Sequence, residues 1–282
     1  MEIHSTSPGG LAAHIRARLP ELRDTEARVA RVVLDKGAEL VRLSVSDVAA
    51  LAGTAPSSVV RACQRLGFRG YQELKIVAAG QAPAPEPSRE TDPAARALAD
   101  TIRAGREALD GVAATVTPQD LRAAAALIDA APRTVVVGAG LSGAVALDTA
   151  YRLRALGCAV DAPADPLTAQ LAASQLTPAG VCLAISHTGA TRSTVDAARR
   201  ARQAGARVVA VTSYARSPLS ETADRTLVAG GQDLVFGLET VASRLAHLTV
   251  IDALALTLLG LRGAPAEAAL RLSADVTVDH SY

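Results

Sequence analysis

Aromatic side chains are nearly missing from these 282 residues: two Phe, four Tyr and no Trp. Such a chain has no aromatic platforms on which single-stranded bases could stack, and its core has to be built from Ala, Val and Leu. Cysteine is as sparse. Cys63, Cys158 and Cys182 stand alone without a CxxC pair, an odd set that excludes a disulfide framework and points to reduced thiols in the cytoplasm. No Cys and His combination has metal-ligand spacing, so no metal and no cofactor is expected. Neither sign of charge is in excess, with 29 Lys and Arg against 28 Asp and Glu. At 49% hydrophobic and 20% charged residues, the chain is too apolar to be disordered. The most apolar stretch, Leu248 to Leu261, is interrupted by Asp252 and is expected to be too short to cross a bilayer. Met1 to Gly10 lack the basic and apolar pattern of a secretory signal.

The charge that is present is unevenly spread. Residues 1–80 carry 11 basic and 8 acidic side chains, and Arg61, Arg65, Arg69 and Lys75 are opposed locally only by Glu73. A basic patch on a small domain suits a polyanion, although a solvated helix face has the same composition. The stretch Gly80 to Pro93 (GQAPAPEPSRETDP) has four prolines and no apolar period, and reads as an exposed linker. The chain therefore divides into a helical domain (1–79), a linker (80–93), a connecting helix (94–117), an α/β domain (118–265) and a C-terminal tail (266–282).

In the first domain, Leu11, Ile15 and Leu19 share a helical face that Pro20 ends. Asp24 or Thr25 can cap a second helix. Ser44 can cap a third from Val45 to Leu51. Gly53 permits a tight turn, and Pro56 suits the first turn of a fourth helix that stops at Gly67. Residues 45–51 and 56–66 have the dimensions of a helix-turn-helix, in which the second helix enters the major groove. Ser57, Ser58 and Arg61 then face base edges, Arg65 and Arg69 meet phosphates, and Lys75 of the same basic patch is taken with them as DNA-binding. An ordinary helical hairpin in a small bundle has the same periodicity.

Beyond the linker, Leu98, Ile102, Leu109 and Val112 mark an amphipathic helix of the kind that packs on a following domain or a partner subunit. Strands near 134–137, 158–160, 181–185, 208–211 and 226–228 then alternate with helices, the last of them a long helix from Leu238 to Leu259. That alternation predicts a three-layer α/β domain with a parallel sheet. Ligands bind beyond the carboxyl ends of such strands, and two loops rich in small and hydroxyl residues lie there. Gly138 to Gly143 contains Gly140 and Ser142. The second loop is Ser186-His187-Thr188-Gly189-Ala190-Thr191. Backbone N–H groups at a helix start, joined by hydroxyls of Ser186, Thr188 and Thr191, suit a phosphate monoester; Gly189 allows close backbone approach, and His187 is either a further contact or a loop residue turned to solvent. Without GKS or GKT there is no Walker-type nucleotide site.

Three readings of this half stay open on the residues alone. Gly138, Gly140 and Gly143 spell GxGxxG and Asp161 follows the next strand, as in a dinucleotide fold. Glu239 and His247 on the long helix could serve an isomerase as base and acid, but they are eight residues apart. The third reading is a binding domain that performs no reaction.

Val135-Val136-Val137-Gly138-Ala139-Gly140-Leu141-Ser142, with Tyr151-Arg152-Leu153 and Gly157, resembles the first motif of sugar isomerase (SIS) domains. Ala184-Ile185-Ser186-His187-Thr188-Gly189-Ala190-Thr191 resembles the second, S-x-S-G-x-T, with Thr188 for the second Ser. Val48-Ala49 through Val59-Val60-Arg61, and then Leu66 to Lys75, is similar to the helix-turn-helix of RpiR-type transcription regulators. Glu239, Ser243-Arg244 and Ile251-Asp252-Ala253-Leu254 resemble that family's C-terminal helix. Ala55 stands where the family has a capping Ser, a role Thr54 can take one residue earlier, and Ala62 stands where it has an aromatic. The resemblance implies an all-α helix-turn-helix domain before an α/β SIS domain. It further implies a non-enzymatic regulator, a homodimer or tetramer on a palindromic operator of double-stranded DNA, and a phosphosugar effector held by the two loops and Glu239.

Overall fold

The computed structural model of this chain describes residues 10–79, 91–229 and 239–280. The chain forms two compact units, Met1–Arg106 with Gln232–Ala242 and Glu107–Gly231 with Ser243–Tyr282.

The first unit holds α1 (Gly10–Arg18), α2 (Asp24–Lys36), α3 (Val45–Leu51), α4 (Pro56–Arg65) and α5 (Tyr71–Ala79), with 3-10 turns at Leu19–Glu21 and Gly37–Arg42. Local chemistry sets α3. Ser44 Oγ accepts from the Asp47 amide, and the Asp47 carboxylate accepts in return from the Ser44 N–H, a reciprocal cap. The turn to α4 passes through Gly53 at φ +60°, a left-handed conformation that glycine adopts without a Cβ penalty. α4 opens at Pro56 with Ala55 at its N-cap and no side-chain cap, so the capping expected of Thr54 is not made; the Thr54 amide bonds back to Ala49 O instead. The other end of α4 is better served. Leu66 O meets His14 Nε2 at 2.7 Å and accepts from Arg18 Nη1 at 2.9 Å, both from α1. The core is Ile15, Val29, Val33, Leu40, Val48, Val59, Ala62, Leu66 and Leu74, with Phe68 and Tyr71 as its two aromatic rings. Tyr71 donates its phenol to Leu43 O.

α6 (Pro93–Thr115) follows, with Leu98, Ile102 and Leu109 exposed. The second unit continues with α7 (Pro118–Ala130), β1 (Thr134–Gly138), α8 (Leu141–Ala155), β2 (Val160–Asp161), α9 (Pro166–Ser174), β3 (Val181–Ile185), α10 (Arg192–Gln203), β4 (Arg207–Thr212), β5 (Arg225–Val228), α11 (Glu239–Arg262) and α12 (Ala264–Asp279). All strand pairs are parallel, in the order β2-β1-β3-β4-β5. One face of the sheet presents Val135, Val137, Cys182, Ala184, Val208 and Ala210 to α9 and α10. The alternate residues Val136, Leu183, Ile185, Val209 and Val211 are buried on the other face, where α8 packs. Strands buried on both sides account for the continuous apolar runs in the sequence. The three-layer α/β architecture with a parallel sheet is the one the alternation of elements predicts.

Two elements depart from the sequence reading. The segment taken as a tail forms α12, which packs along α8 and buries Ala266; Pro265 and the β-branched run at Val276–Val278 mask its helical period. The apolar stretch judged too short for a bilayer belongs to α11, whose Ala242–Arg262 segment is long and apolar enough to span one by length and composition. In this fold α11 is buried along one face only, with Leu245, Leu256 and Leu261 exposed on the rest. It buries Ala246, Val250, Ile251, Leu254 and Leu258, and its Asp252 pairs with Arg152 of α8 at 2.6 Å.

Candidate functional site

In the order β2-β1-β3, the chain reverses direction of travel across the sheet between β1 and β3. The loops that leave these strands run to opposite faces, which opens a crevice at their carboxyl ends. A cleft of about 130 Å³ occupies this place, walled by Gly138–Gly140 at the end of β1, Ala164–Pro166 at the start of α9, and Ser193 and Thr194 in the first turn of α10. Gly140 is the one expected effector residue on its wall. Asp165, Ser193 and Thr194 escaped the sequence reading, although an Asp-Pro pair opening a helix is a signal that could have marked the first. Asp165 Oδ1 accepts from the Leu167 and Thr168 amides at 3.0 and 2.9 Å. The hydrogen bonds from Thr168 side chain and backbone, with that from Leu167, hold its carboxyl below the ordinary carboxylate range. It therefore lends this cleft a negative rim.

The hydroxyl loop lies beside it, between β3 and α10. Ser186 is fully buried and donates to Thr191 Oγ1 at 3.0 Å, so it steadies Thr191 rather than facing solvent. Thr191 is the N-cap of α10 but makes no side-chain cap, which leaves the helix's first-turn amides to other acceptors. Thr188 Oγ1 accepts from the Ala190 amide at 3.2 Å and keeps its own proton for donation. Ser142 is half-buried in the first turn of α8. Arg192 is almost wholly exposed and reaches Asp196 at 3.6 Å. Gly189 is indeed a point of close approach, but to protein: a Cβ there would lie 2.1 Å from Ser217 Oγ. Its amide and carbonyl are taken by Ser186 O and Leu219 N. Glu239 opens α11, and its side chain lies outside the described residues.

His187 is half-buried, its Nδ1 2.8 Å from Ser213 Oγ, which in turn is 3.2 Å from His247 Nε2. Burial, with His187 nearby, lowers the His247 pKa to about 3, so its ring is neutral. At 1% exposure it cannot reach a dissolved substrate, which removes it as the open acid of an isomerase. The dinucleotide arrangement also fails at one residue. Asp161 pairs with Val135, near the start of β1, well below the carboxyl edge where Gly138 lies, and it is bound to Arg133 at 3.0 Å. A ribose on the Gly138–Gly143 loop would be out of its reach. Burial pushes the thiols of Cys63 and Cys182 up to about 12, leaving both unreactive. Among the described residues, no group of three or more His, Cys, Asp or Glu could hold a metal.

In the first unit, the exposed side of α4 presents Ser57, Arg61 and Arg65. A cleft of about 550 Å³ beside it is lined by Arg23, Thr25, Glu26, Ser58, Arg61, Gln64 and Arg65; Arg23, Thr25 and Glu26 join this face only through packing of α2 on α4, whereas Gln64 is on α4 itself. Ser58 is buried and accepts from Arg61 at 2.9 Å, so it orients that arginine instead of meeting a base. Arg65 approaches the buried Glu26 at 3.8 Å, and Arg69 pairs with Glu73 at 3.3 Å. Lys75, expected in the DNA-binding set, is only 4% exposed, with its ammonium 6.0 Å from the Tyr71 ring.

Residues 9–83 match the helix-turn-helix domain of the rpiR family, and residues 126–257 match the SIS domain. The chain is 30% identical over 250 residues to an uncharacterized HTH-type transcriptional regulator of Caldanaerobacter subterraneus subsp. tengcongensis, covering 86% of this chain and 88% of that one. It is 32% identical over 259 residues to the HTH-type transcriptional regulator HexR of Pseudomonas aeruginosa, covering 87% of each. Among solved structures, the Vibrio vulnificus NanR protein complexed with ManNAc-6P has the same fold, with a TM-score of 0.82 and 22% identity, covering 96% of this chain and all of that one. The sugar isomerase domain of an RpiR transcription factor from Sphaerobacter thermophilus aligns with a TM-score of 0.54 and 23% identity over 65% of this chain and 98% of that one. A helix-turn-helix domain followed by a SIS domain is thus the matched plan, and this chain belongs to the RpiR family of helix-turn-helix transcriptional regulators that carry a SIS domain.

Proposed function

We propose that this protein is a regulator whose helix-turn-helix domain binds double-stranded DNA under the control of a phosphosugar held by its SIS domain, and that it catalyses no reaction. The observation that carries this reading is the loop from Ser186 to Thr191: neutral hydroxyl donors at the carboxyl end of β3, leading into a helix without a side-chain cap. Phosphate there meets backbone N–H groups and the positive end of the helix dipole. The cleft rimmed by Asp165 then favours the uncharged, hydroxyl-bearing part of the ligand, since a carboxylate accepts from hydroxyls and repels a second anion. Gly140, Ser142, His187, Thr188, Thr191 and Glu239 make up the effector set, with Ser186 behind Thr191 and Gly189 shaping the turn against Ser217. The phosphosugar bound by the structurally similar Vibrio protein supports the class of ligand. The sealed position of His247 favours binding over isomerisation.

On the DNA side, Ser57 and Arg61 read bases and Arg65 and Arg69 hold phosphates, with Arg23 added from α2. A homodimer or tetramer on a palindromic operator follows from two-fold pairing of such modules. It is supported by Leu141, Leu147 and Tyr151 of α8 and Leu167 and Leu171 of α9, all exposed. The proposed domain limits are 1–79, 80–93, 94–117 and 118–265, with α12 now joined to the SIS domain, and the place of action is the cytoplasm.

A gel-shift titration on DNA upstream of its own gene, with and without N-acetylmannosamine 6-phosphate and glucose 6-phosphate, tests the reading. A shift whose midpoint moves with a sugar phosphate is expected. Turnover of either compound by the pure protein would overturn the non-enzymatic part.

A further inference from the structure

Behind the hydroxyl loop, His187 of the proposed effector set continues into two polar side chains, Ser213 and His247, that the set does not include. His187 stands on the loop after β3, Ser213 is the first residue after β4, and His247 lies on α11. Ser213 Oγ is 2.8 Å from His187 Nδ1 and 3.2 Å from His247 Nε2, so one hydroxyl bridges two imidazoles. The backbone at 187 is held from the same side: its carbonyl accepts from Thr212 Oγ1 and from the Ser213 amide, both at 3.0 Å. The ring of His187 sits 5.8 Å from that of Tyr214 and 6.1 Å from that of His247.

A hydroxyl has a single proton. When both imidazoles are in their neutral form, Ser213 therefore donates to one and accepts from the other. If His247 carries its proton on Nε2, it donates to Ser213, Ser213 donates to His187 Nδ1, and His187 bears its own proton on Nε2. If His247 carries its proton on Nδ1, every bond in the chain reverses and His187 is protonated on Nδ1. The tautomer of the inner ring thus dictates the tautomer of the outer one. This is the general logic by which a histidine's partner on one nitrogen sets what the other nitrogen can do.

We propose that His247 is a positioning residue of the effector site: through Ser213 it fixes the orientation of the His187 ring and holds that ring as the Nε2–H donor. A donor is the form that suits the oxygen-rich surface of a phosphorylated sugar. The role of His187 toward ligand and the choice of its Nε2–H form rest on the phosphosugar reading above; the coupling of the two rings through Ser213 does not.

Two measurements on the full-length chain separate these. Long-range ¹⁵N–¹H spectra of histidine-labelled protein report the His187 tautomer without any ligand. Nε2–H is expected in the unsubstituted protein and a mixed population in His247→Leu. His247→Gln, whose carboxamide can donate to Ser213, restores the single form. Calorimetry with N-acetylmannosamine 6-phosphate, glucose 6-phosphate and inorganic phosphate reports the consequence. His247→Leu weakens the best probe by about tenfold, the size of one hydrogen bond, and His247→Gln recovers most of the loss. In a His187→Ala background His247→Leu adds nothing, because coupled residues are not additive. Ser213→Ala breaks the same chain from a less buried position and gives the same tautomer mixture. The proposal is overturned if His187 keeps one tautomer in His247→Leu and Ser213→Ala, or if His247→Leu weakens binding equally with and without His187, as a core-packing residue would. If no probe binds the unsubstituted protein, the phosphosugar reading fails, and the spectra alone decide the relay.

Discussion

A histidine that stays neutral inside a fold links stability to acid. Unfolded, His247 titrates at its ordinary 6.5; folded, burial lowers this to about 3. Between those values the unfolded chain binds the extra proton. Stability from this residue is complete above pH 6.5 and is lost as pH falls toward 3, with a slope approaching about 1.4 kcal/mol per pH unit. Chemical denaturation at several pH values should show that slope, and His247→Gln, which does not titrate, should flatten it. An unchanged slope in the variant would mean that other groups carry the acid sensitivity. Gly189 gives a second test at the same loop. Its φ of +60° and the Ser217 hydroxyl 2.1 Å from where a Cβ would sit make Gly189→Ala costly in backbone strain and overpacking together, roughly 2–4 kcal/mol. Adding Ser217→Gly should relieve the steric share and raise the melting temperature of the double variant above that of Gly189→Ala. The family motif makes this glycine legible, but its reason is not: in sequence it reads as room for a ligand, whereas in space it is room for Ser217.

The helices of the first unit were the most legible elements because their ends are coded locally. Ser44 precedes its helix by one residue and Asp47 completes the reciprocal cap. Ser44→Ala should cost about 1 kcal/mol of unfolding free energy, seen as a lower denaturation midpoint for the helix-turn-helix transition. α4 presents the opposite case. With Ala55 at its N-cap in extended backbone (φ −88°, ψ 153°), a side-chain acceptor can be supplied without moving the chain, and Ala55→Ser should stabilise the same transition by a comparable amount. No gain would mean that the first-turn amides of α4 are already satisfied. α12 was not legible because Pro265 and the β-branched run Val276–Val278 mask its helical period, and little of it is buried beyond Ala266. β2 is only two residues long and starts at Val160, later than the Cys158 suggested by composition, since Arg262 of α11 holds Cys158 Sγ and Leu156 O just before it.

For the molecule as a whole, DNA binding and ligand binding are joined only by differential affinity: a sugar phosphate shifts operator binding by as much as it prefers one arrangement of the protein over the other. The DNA surface can be probed separately. Arg61→Ala should weaken specific binding by roughly tenfold or more, and Arg69→Ala should lower the salt slope by about one. Lys75→Met should leave the slope as it was, since that ammonium is already enclosed; a reduced slope would return Lys75 to the interface. Residue order was enough to specify the plan of a helical basic unit followed by a parallel α/β unit. Caps, periodicity and strand-end loops are short-range patterns, and each is written within a few neighbouring residues. What lay beyond those patterns required the packed chain. Strand order brings Gly140, Asp165 and Thr194 to one crevice, and strand register takes Asp161 away from it. Helix rotation hides Lys75 and Ser58 while exposing Arg61. The meeting of β3, β4 and α11 lines up His187, Ser213 and His247. These are contacts between residues tens of positions apart, set by which apolar faces must be buried together, and no local spacing encodes them.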